Sequence, residues 1–168
     1  MNIKTAHLGL FLAFTLILSY VELLIPFQVG IPGVKLGLAN LAVVLCLYLF
    51  GYREALFLTL TKAVVCGFLF GNLSMILYSI AGAVFSFGIM VFMKQSRKFH
   101  VPVISAVGGV MHNVGQLVIA YFTVNTYGIF YYVPVLICSG LITGILIGIT
   151  ASLLLPYLKK ILERGTQI

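Results

Sequence analysis

The chain has 168 residues, 62% of them hydrophobic and 8% charged, with a mean hydropathy of +1.19 and a formal net charge of +7. Soluble domains carry about 25% charged residues, so this chain cannot cover a water-facing surface, and the composition excludes a soluble enzyme in favour of an integral membrane protein. At about 20 residues per apolar helix, the length accommodates six spans with short loops in one all-α domain over residues 1–168, with no soluble catalytic module.

Lys4 is followed by an apolar run to Ile25. The run is too long for a signal-peptide core and lacks an A-x-A exit, so it reads as a retained first span over about 6–25. On it, Gly9 and Ala13 lie four apart in HLGLFLAF. Such a small-residue ridge lets helix backbones approach closely, either inside the bundle or against a partner membrane protein. The second and third spans, about 36–51 and 54–70, are short and separated only by GYRE, which predicts a tight helical hairpin. The fourth, about 73–93, follows the turn FGNLS with Asn72 as a predicted N-cap. Ser79, Gly82 and Ser86 come after it at helical spacing, with Tyr78 adjacent. The fifth spans about 102–124. The sixth, about 131–157, carries a GxxxGxxxG ridge of Gly140, Gly144 and Gly148 that is expected to pack inside the bundle. None of these runs alternates in polarity as a barrel strand does.

The loop charges predict the orientation. Lys4, Arg53, Lys94, Arg97, Lys98, Lys159, Lys160 and Arg164 fall at one set of span ends, and Lys35 alone at the other. Under the positive-inside rule this bias puts both termini in the cytoplasm and predicts an even number of spans. The net positive charge is then topological, not a nucleic-acid footprint.

Several polar residues are not explained by spanning. Lys62 lies near the middle of the third span, in FLTLTKAVVCGF. A mid-membrane lysine costs about 2.5–3.5 kcal/mol on insertion scales. It pairs with Glu22 or Glu54 to pin helices, meets an anionic ligand, or snorkels to the interface. The fifth span carries GGVMHNVGQLV, where His112 and Gln116 share a face. Ser105 and Gly109 continue that face, and Asn113 borders it. The stripe either bonds to neighbouring helices, at about 0.6 kcal/mol per bond, or lines a ligand site. His7, His100 and His112 are too dispersed for a metal site. Cys46, Cys66 and Cys138 form no CxxC and read as small buried hydrophobes.

The stretch VELLIPFQVGIPGVKLGLAN, after the first span, is unlike an ordinary loop. Pro26 and Pro32 block a continuous helix, while Gly33 allows a turn and Gly37 lets a neighbour approach. On the predicted orientation it sits at the outer mouth of the bundle. There it is either a lid holding Gln28, Lys35 and Asn40, or a capping turn that starts the second span.

IPGVKLGLAN behind a Pro-rich lead-in, six spans, and an intramembrane HNxxQ resemble the Gx transporter family, whose members are often labelled heptaprenyl diphosphate synthase component I. The resemblance covers essentially the whole chain. It implies kinship with the substrate-binding S components of energy-coupling factor (ECF) vitamin transporters. Such a fold has six helices, with ligand bound near the outer face under the loop after the first helix. It also implies docking, through small residues of the first helix, on a coupling protein driven by two ATPases. The docking pattern in those components is usually AxxxA. Here Gly9 and Ala13 occupy the matching positions, a departure from that pattern.

The two labels imply different chemistry. Prenyl diphosphate synthases hold Mg²⁺ and diphosphate through aspartate-rich DDxxD motifs, because hard cations need several oxygen ligands. This chain has no aspartate, and its three glutamates, Glu22, Glu54 and Glu163, are widely spread. It also lacks the GK[ST] of a Walker A motif. No catalytic residues, cofactor or metal are therefore expected. The first reading is a substrate-binding component for uptake of a small anionic, partly apolar metabolite, energised by separate ATPases. Its ligand would meet Lys35, Asn40, Lys62, His112, Asn113 and Gln116, with Tyr78 or a phenylalanine stacking. The second is a non-catalytic membrane subunit of a prenyl diphosphate synthase, with the basic loop Lys94–His100 as docking site. A third is a structural membrane protein without a ligand.

Overall fold

The computed structural model describes residues 3–25, 36–124 and 127–165. Among them are six α-helices and no strand: α1 (Ile3–Leu24), α2 (Leu38–Leu49), α3 (Tyr52–Phe70), α4 (Leu73–Ser96), α5 (Val101–Val124) and α6 (Val133–Gly165). A 3-10 segment, Tyr127–Tyr132, leads into α6. Gln28, Lys35 and the glycine-rich stretch up to residue 35 lie outside the described residues, and with them most of the expected lid.

The six helices follow the expected spans, but not all have spanning length. Thr5–Leu24, Leu73–Ser96, Val101–Thr123 and Gly128–Arg164 are long and apolar enough to cross a membrane. α2 has only 12 residues, a rise of about 18 Å against a hydrocarbon core of about 30 Å. α3 is 19 residues long but carries Arg53, Glu54 and Lys62. α2 is short because Gly37 starts it in a left-handed conformation (φ 72°) and Gly51 ends the following turn at φ 109°. The helix is wrapped by its neighbours instead: Ala42 to Leu47 are all buried, as expected of a helix that is hydrophobic all round. α6 goes the other way. Its 33 residues pass through Pro156 and rise about 50 Å, well beyond the expected end at residue 157.

The core lies among α2, α3, α4, α5 and α6, where Val43–Leu47, Leu58, Phe87, Met90, Met93, Ile104, Ile147 and Ala151 interlock. In lipid, close packing, not the exclusion of water, holds such helices together, and the small residues permit it. A Cβ on Gly144 would lie 2.6 Å from the Ser105 carbonyl oxygen and 2.7 Å from Ala106 Cα. The α6 ridge is therefore spent on α5, as predicted. Gly115 does the same on the other side of α5, where a Cβ would meet Ala81 O at 2.7 Å. Gly9, by contrast, has nothing within 4 Å of where its Cβ would be.

Polar side chains tie the helix ends. Asn72 caps α4, its Oδ1 accepting from the Met75 amide at 2.9 Å. Lys94, expected in the loop cluster, lies within α4. It donates to the carbonyl of Leu47 and sits 4.7 Å from the Tyr48 ring centroid. It so satisfies a carbonyl that the last turn of α2 leaves open. The cysteines divide: Cys46 is buried as expected, Cys66 is partly buried and Cys138 is exposed. A thiol is small and apolar enough to face lipid as readily as a core.

Candidate functional site

A cavity of about 570 Å³ runs between the helices, and all six contribute to its wall. From Ser105 to Gln116 on α5 the lining extends about 16 Å along the axis, and from Met75 to Met90 on α4 about 22 Å. Its size is that of a small-molecule site. Helical spacing explains who lines it. Thr59, Lys62, Cys66 and Phe70 fall on one face of α3, Ser79 and Ser86 on one face of α4, and Ser105, Gly109, His112 and Gln116 on one face of α5.

One end of the cavity is chemically distinct. The Lys62 ammonium donates to Asn40 Oδ1 at 2.7 Å, and the Gly37 amide donates to the Glu22 carboxylate. Asn40 and Gly37 belong to one turn, closed by the Asn40 amide donating to the Gly37 carbonyl at 2.8 Å. The left-handed Gly37 is needed here: a Cβ would meet Ile147 Cδ1 at 3.2 Å and Asn40 Nδ2 at 3.4 Å. A cation from α3 and an anion from α1 are thus anchored to the same first turn of α2. Glu54 starts α3 about 12 Å down the axis from Lys62, and its carboxylate lies beside Gly51.

On α5, Gln116 Nε2 and His112 Nε2 are 3.3 Å apart. Gly82 makes room for this pair, since a Cβ there would meet His112 Cε1 at 2.9 Å. Asn113 donates to the Leu136 carbonyl at 2.6 Å and to Ser139 Oγ at 3.4 Å, so its amide nitrogen serves the α5–α6 contact. The rest of the lining is apolar or weakly polar, with Val43, Val44, Ala83, Met90 and Ile147 and the hydroxyls of Thr59, Ser86 and Ser105.

Five residues expected to meet a ligand, Asn40, Lys62, His112, Asn113 and Gln116, line this one cavity. Tyr78 is not part of its lining; its hydroxyl is 2.9 Å from Thr123 Oγ1. Tyr78 neighbours Ser79 in sequence, but adjacent helical residues point about 100° apart, which turns it toward α5. Lys35 lies outside the described residues. Gly9 and Ala13 are exposed, away from the cavity. Sequence reasoning treated Glu22 only as a partner for Lys62 and overlooked it as a wall residue. Its signal was available, since a carboxylate inside an apolar span is a functional candidate in its own right. Among the described residues, no three His, Cys, Asp or Glu side chains gather as metal ligands do.

No curated protein and no solved structure matches the chain. Residues 11–154 match the family described as heptaprenyl diphosphate synthase component I. That segment contains every cavity-lining residue and agrees with the resemblance carried by IPGVKLGLAN and HNxxQ. With the helical fold and the match spanning most of its length, the chain belongs to the heptaprenyl diphosphate synthase component I family.

Proposed function

We propose that the protein is a membrane-embedded binding component that captures a small, acid-bearing, partly apolar metabolite in the inter-helix cavity. The observation that carries this reading is the cavity itself: five helix-borne polar side chains singled out for ligand contact converge on one space of about 570 Å³. A half-buried lysine held by an amide oxygen supplies a cation for a carboxylate or phosphate. The apolar part of the lining accommodates the rest of the molecule.

On the orientation expected from the loop charges, both termini are cytoplasmic and the Glu22–Gly37–Lys62 end faces outward. Capture from outside and release inside would constitute uptake. The chain has no Walker A motif, so energy for uptake comes from separate ATPases through a coupling protein. The exposed Gly9–Ala13 face of α1 is the surface offered to that partner. Native mass spectrometry of the protein purified from its own membranes tests the reading. A small molecule retained by the native chain and lost from Lys62→Met supports it; failure to retain any small molecule overturns it. Lys35→Ala should weaken retention without impairing membrane insertion.

The family's description favours a second reading, because a component I implies a partner synthase component. In that role the cavity would hold an isoprenoid diphosphate, and the basic surface around Arg97 and Lys98 would dock the catalytic partner. Co-purification of a prenyl synthase, with loss of prenyl product on deletion, distinguishes it from uptake.

A further inference from the structure

The serine and threonine side chains that line the cavity divide into two sets. Ser19, Thr59 and Thr143 donate to the carbonyl one turn earlier in their own helix, at 2.9, 2.6 and 2.8 Å. That arrangement lets a hydroxyl sit on an apolar helix with its proton already placed. The hydroxyls of Ser79, Ser86 and Ser105 make no hydrogen bond among the described residues. Ser105 is the sharpest case, because it is only 4% exposed, and an enclosed hydroxyl without a partner is unfavourable. No fully enclosed side-chain oxygen or nitrogen among the described residues lacks a partner. The small part of Ser105 that stays open therefore includes its Oγ, and it opens on the cavity.

The helix contacts give the depth of these hydroxyls. Gly82 of α4 packs on His112 of α5, where a Cβ would lie 2.9 Å from His112 Cε1. One turn further along α4, Ser86 packs on Gly108, where a Cβ would lie 3.3 Å from Ser86 Oγ. Met90, 5% exposed, meets the same glycine. Gly67 of α3 touches Ile76 of α4. Counted from that contact, Lys62 and Gly82 fall about 8 and 9 Å along their helices, so Lys62 is level with His112. Ser86 lies about 6 Å beyond Gly82, and Ser105 about 10 Å beyond His112, in the same direction. Ser79 lies toward the other end.

We infer that Ser86 and Ser105 form a second recognition point, which hydrogen-bonds a neutral polar group of the ligand about 6–10 Å along the cavity from its acidic group. The inference rests on the binding reading above and narrows its substrate class to acids that carry such a group at that spacing. A serine hydroxyl both donates and accepts, which suits a hydroxyl, a carbonyl or a ring nitrogen. A purely hydrocarbon acid would cover Ser105 and leave its hydroxyl unpaired, which disfavours it.

The test uses the purified full chain in lipid nanodiscs and matched probe pairs, read by equilibrium dialysis with mass spectrometry. One pair is para-hydroxyphenylpropanoate with phenylpropanoate, and the other is ω-hydroxyhexanoate with hexanoate. Native protein should retain the hydroxylated member of a pair about 10-fold better than its partner. Ser105→Ala should weaken that preference, and the double variant Ser86→Ala with Ser105→Ala should abolish it. Without probe, these variants should melt at or above the native temperature, since no hydrogen bond within the protein is lost. A lower melt would show that the hydroxyls serve the protein's own packing, and it overturns the inference. Equal retention within each pair by native protein also overturns it, water alone then serving the hydroxyls, and leaves the binding reading standing. A preference unchanged in the folded double variant does the same. Retention of no probe overturns both.

Discussion

The Gly140–Gly144–Gly148 ridge of α6 and the Gly9–Ala13 ridge of α1 share one pattern, small residues four apart on an apolar helix, yet the fold uses them in opposite ways. The α6 ridge is filled: Cβ atoms at Gly140, Gly144 and Gly148 would all strike the backbone of α5. The α1 ridge is empty, with open space beside Gly9 and with Leu10, Phe14 and Ile17 exposed around it. The first ridge holds α6 against α5, and its Gly140 and Gly144 line the cavity. The second is available to a neighbour, which is the role proposed for it. The pattern therefore states that a helix can be approached closely, and leaves open by what.

Three substitutions bear on this contrast. Gly144→Leu should have the largest effect, because its first side-chain carbon would sit against Ser105 O and Ala106 Cα, atoms of a helix backbone that cannot step aside. Overpacking costs about 1–3 kcal/mol where side chains can adjust, so loss of the monodisperse species in size-exclusion chromatography is expected. Asn113→Ala removes the amide that ties α5 to the Leu136 carbonyl and to Ser139. At about 0.6 kcal/mol for an intramembrane hydrogen bond, a thermal melt should fall by about 2 °C. Gly9→Leu should change the melt least, by under about 0.5 kcal/mol, while lowering recovery of any co-purifying membrane partner. If Gly9→Leu destabilised the isolated protein as much as Gly144→Leu does, the α1 face would not be open and the contrast would collapse.

Much of the architecture was legible in advance. The expected spans overlap all six helices, the GYRE hairpin forms around Gly51, and Asn72 caps α4. Length was less legible. α2 reads as apolar throughout, which does not distinguish a helix that meets lipid at both ends from one enclosed by its neighbours. Of the candidate site, the α5 stripe followed from the spacing of His112 and Gln116. Tyr78 did not follow, since proximity to Ser79 along the chain says nothing about the face it occupies. Lys94 looked like one more loop cation and proved to be the cap of a different helix, reached across the bundle.

Composition and periodicity were enough to predict an all-helical chain, several of its helices long and apolar enough to span a membrane, with polar groups facing inward. Those properties follow from transfer costs and backbone hydrogen bonding that each segment meets on its own. They could not say that Glu22 reaches Gly37, that Lys62 reaches Asn40, or that both charges share one turn. A 3.6-residue period defines the face of each helix, but the rotation and depth at which helices meet depend on which small residues interlock. In this protein, the glycines of α5 and α6 settle that packing, and the cavity is the space it leaves.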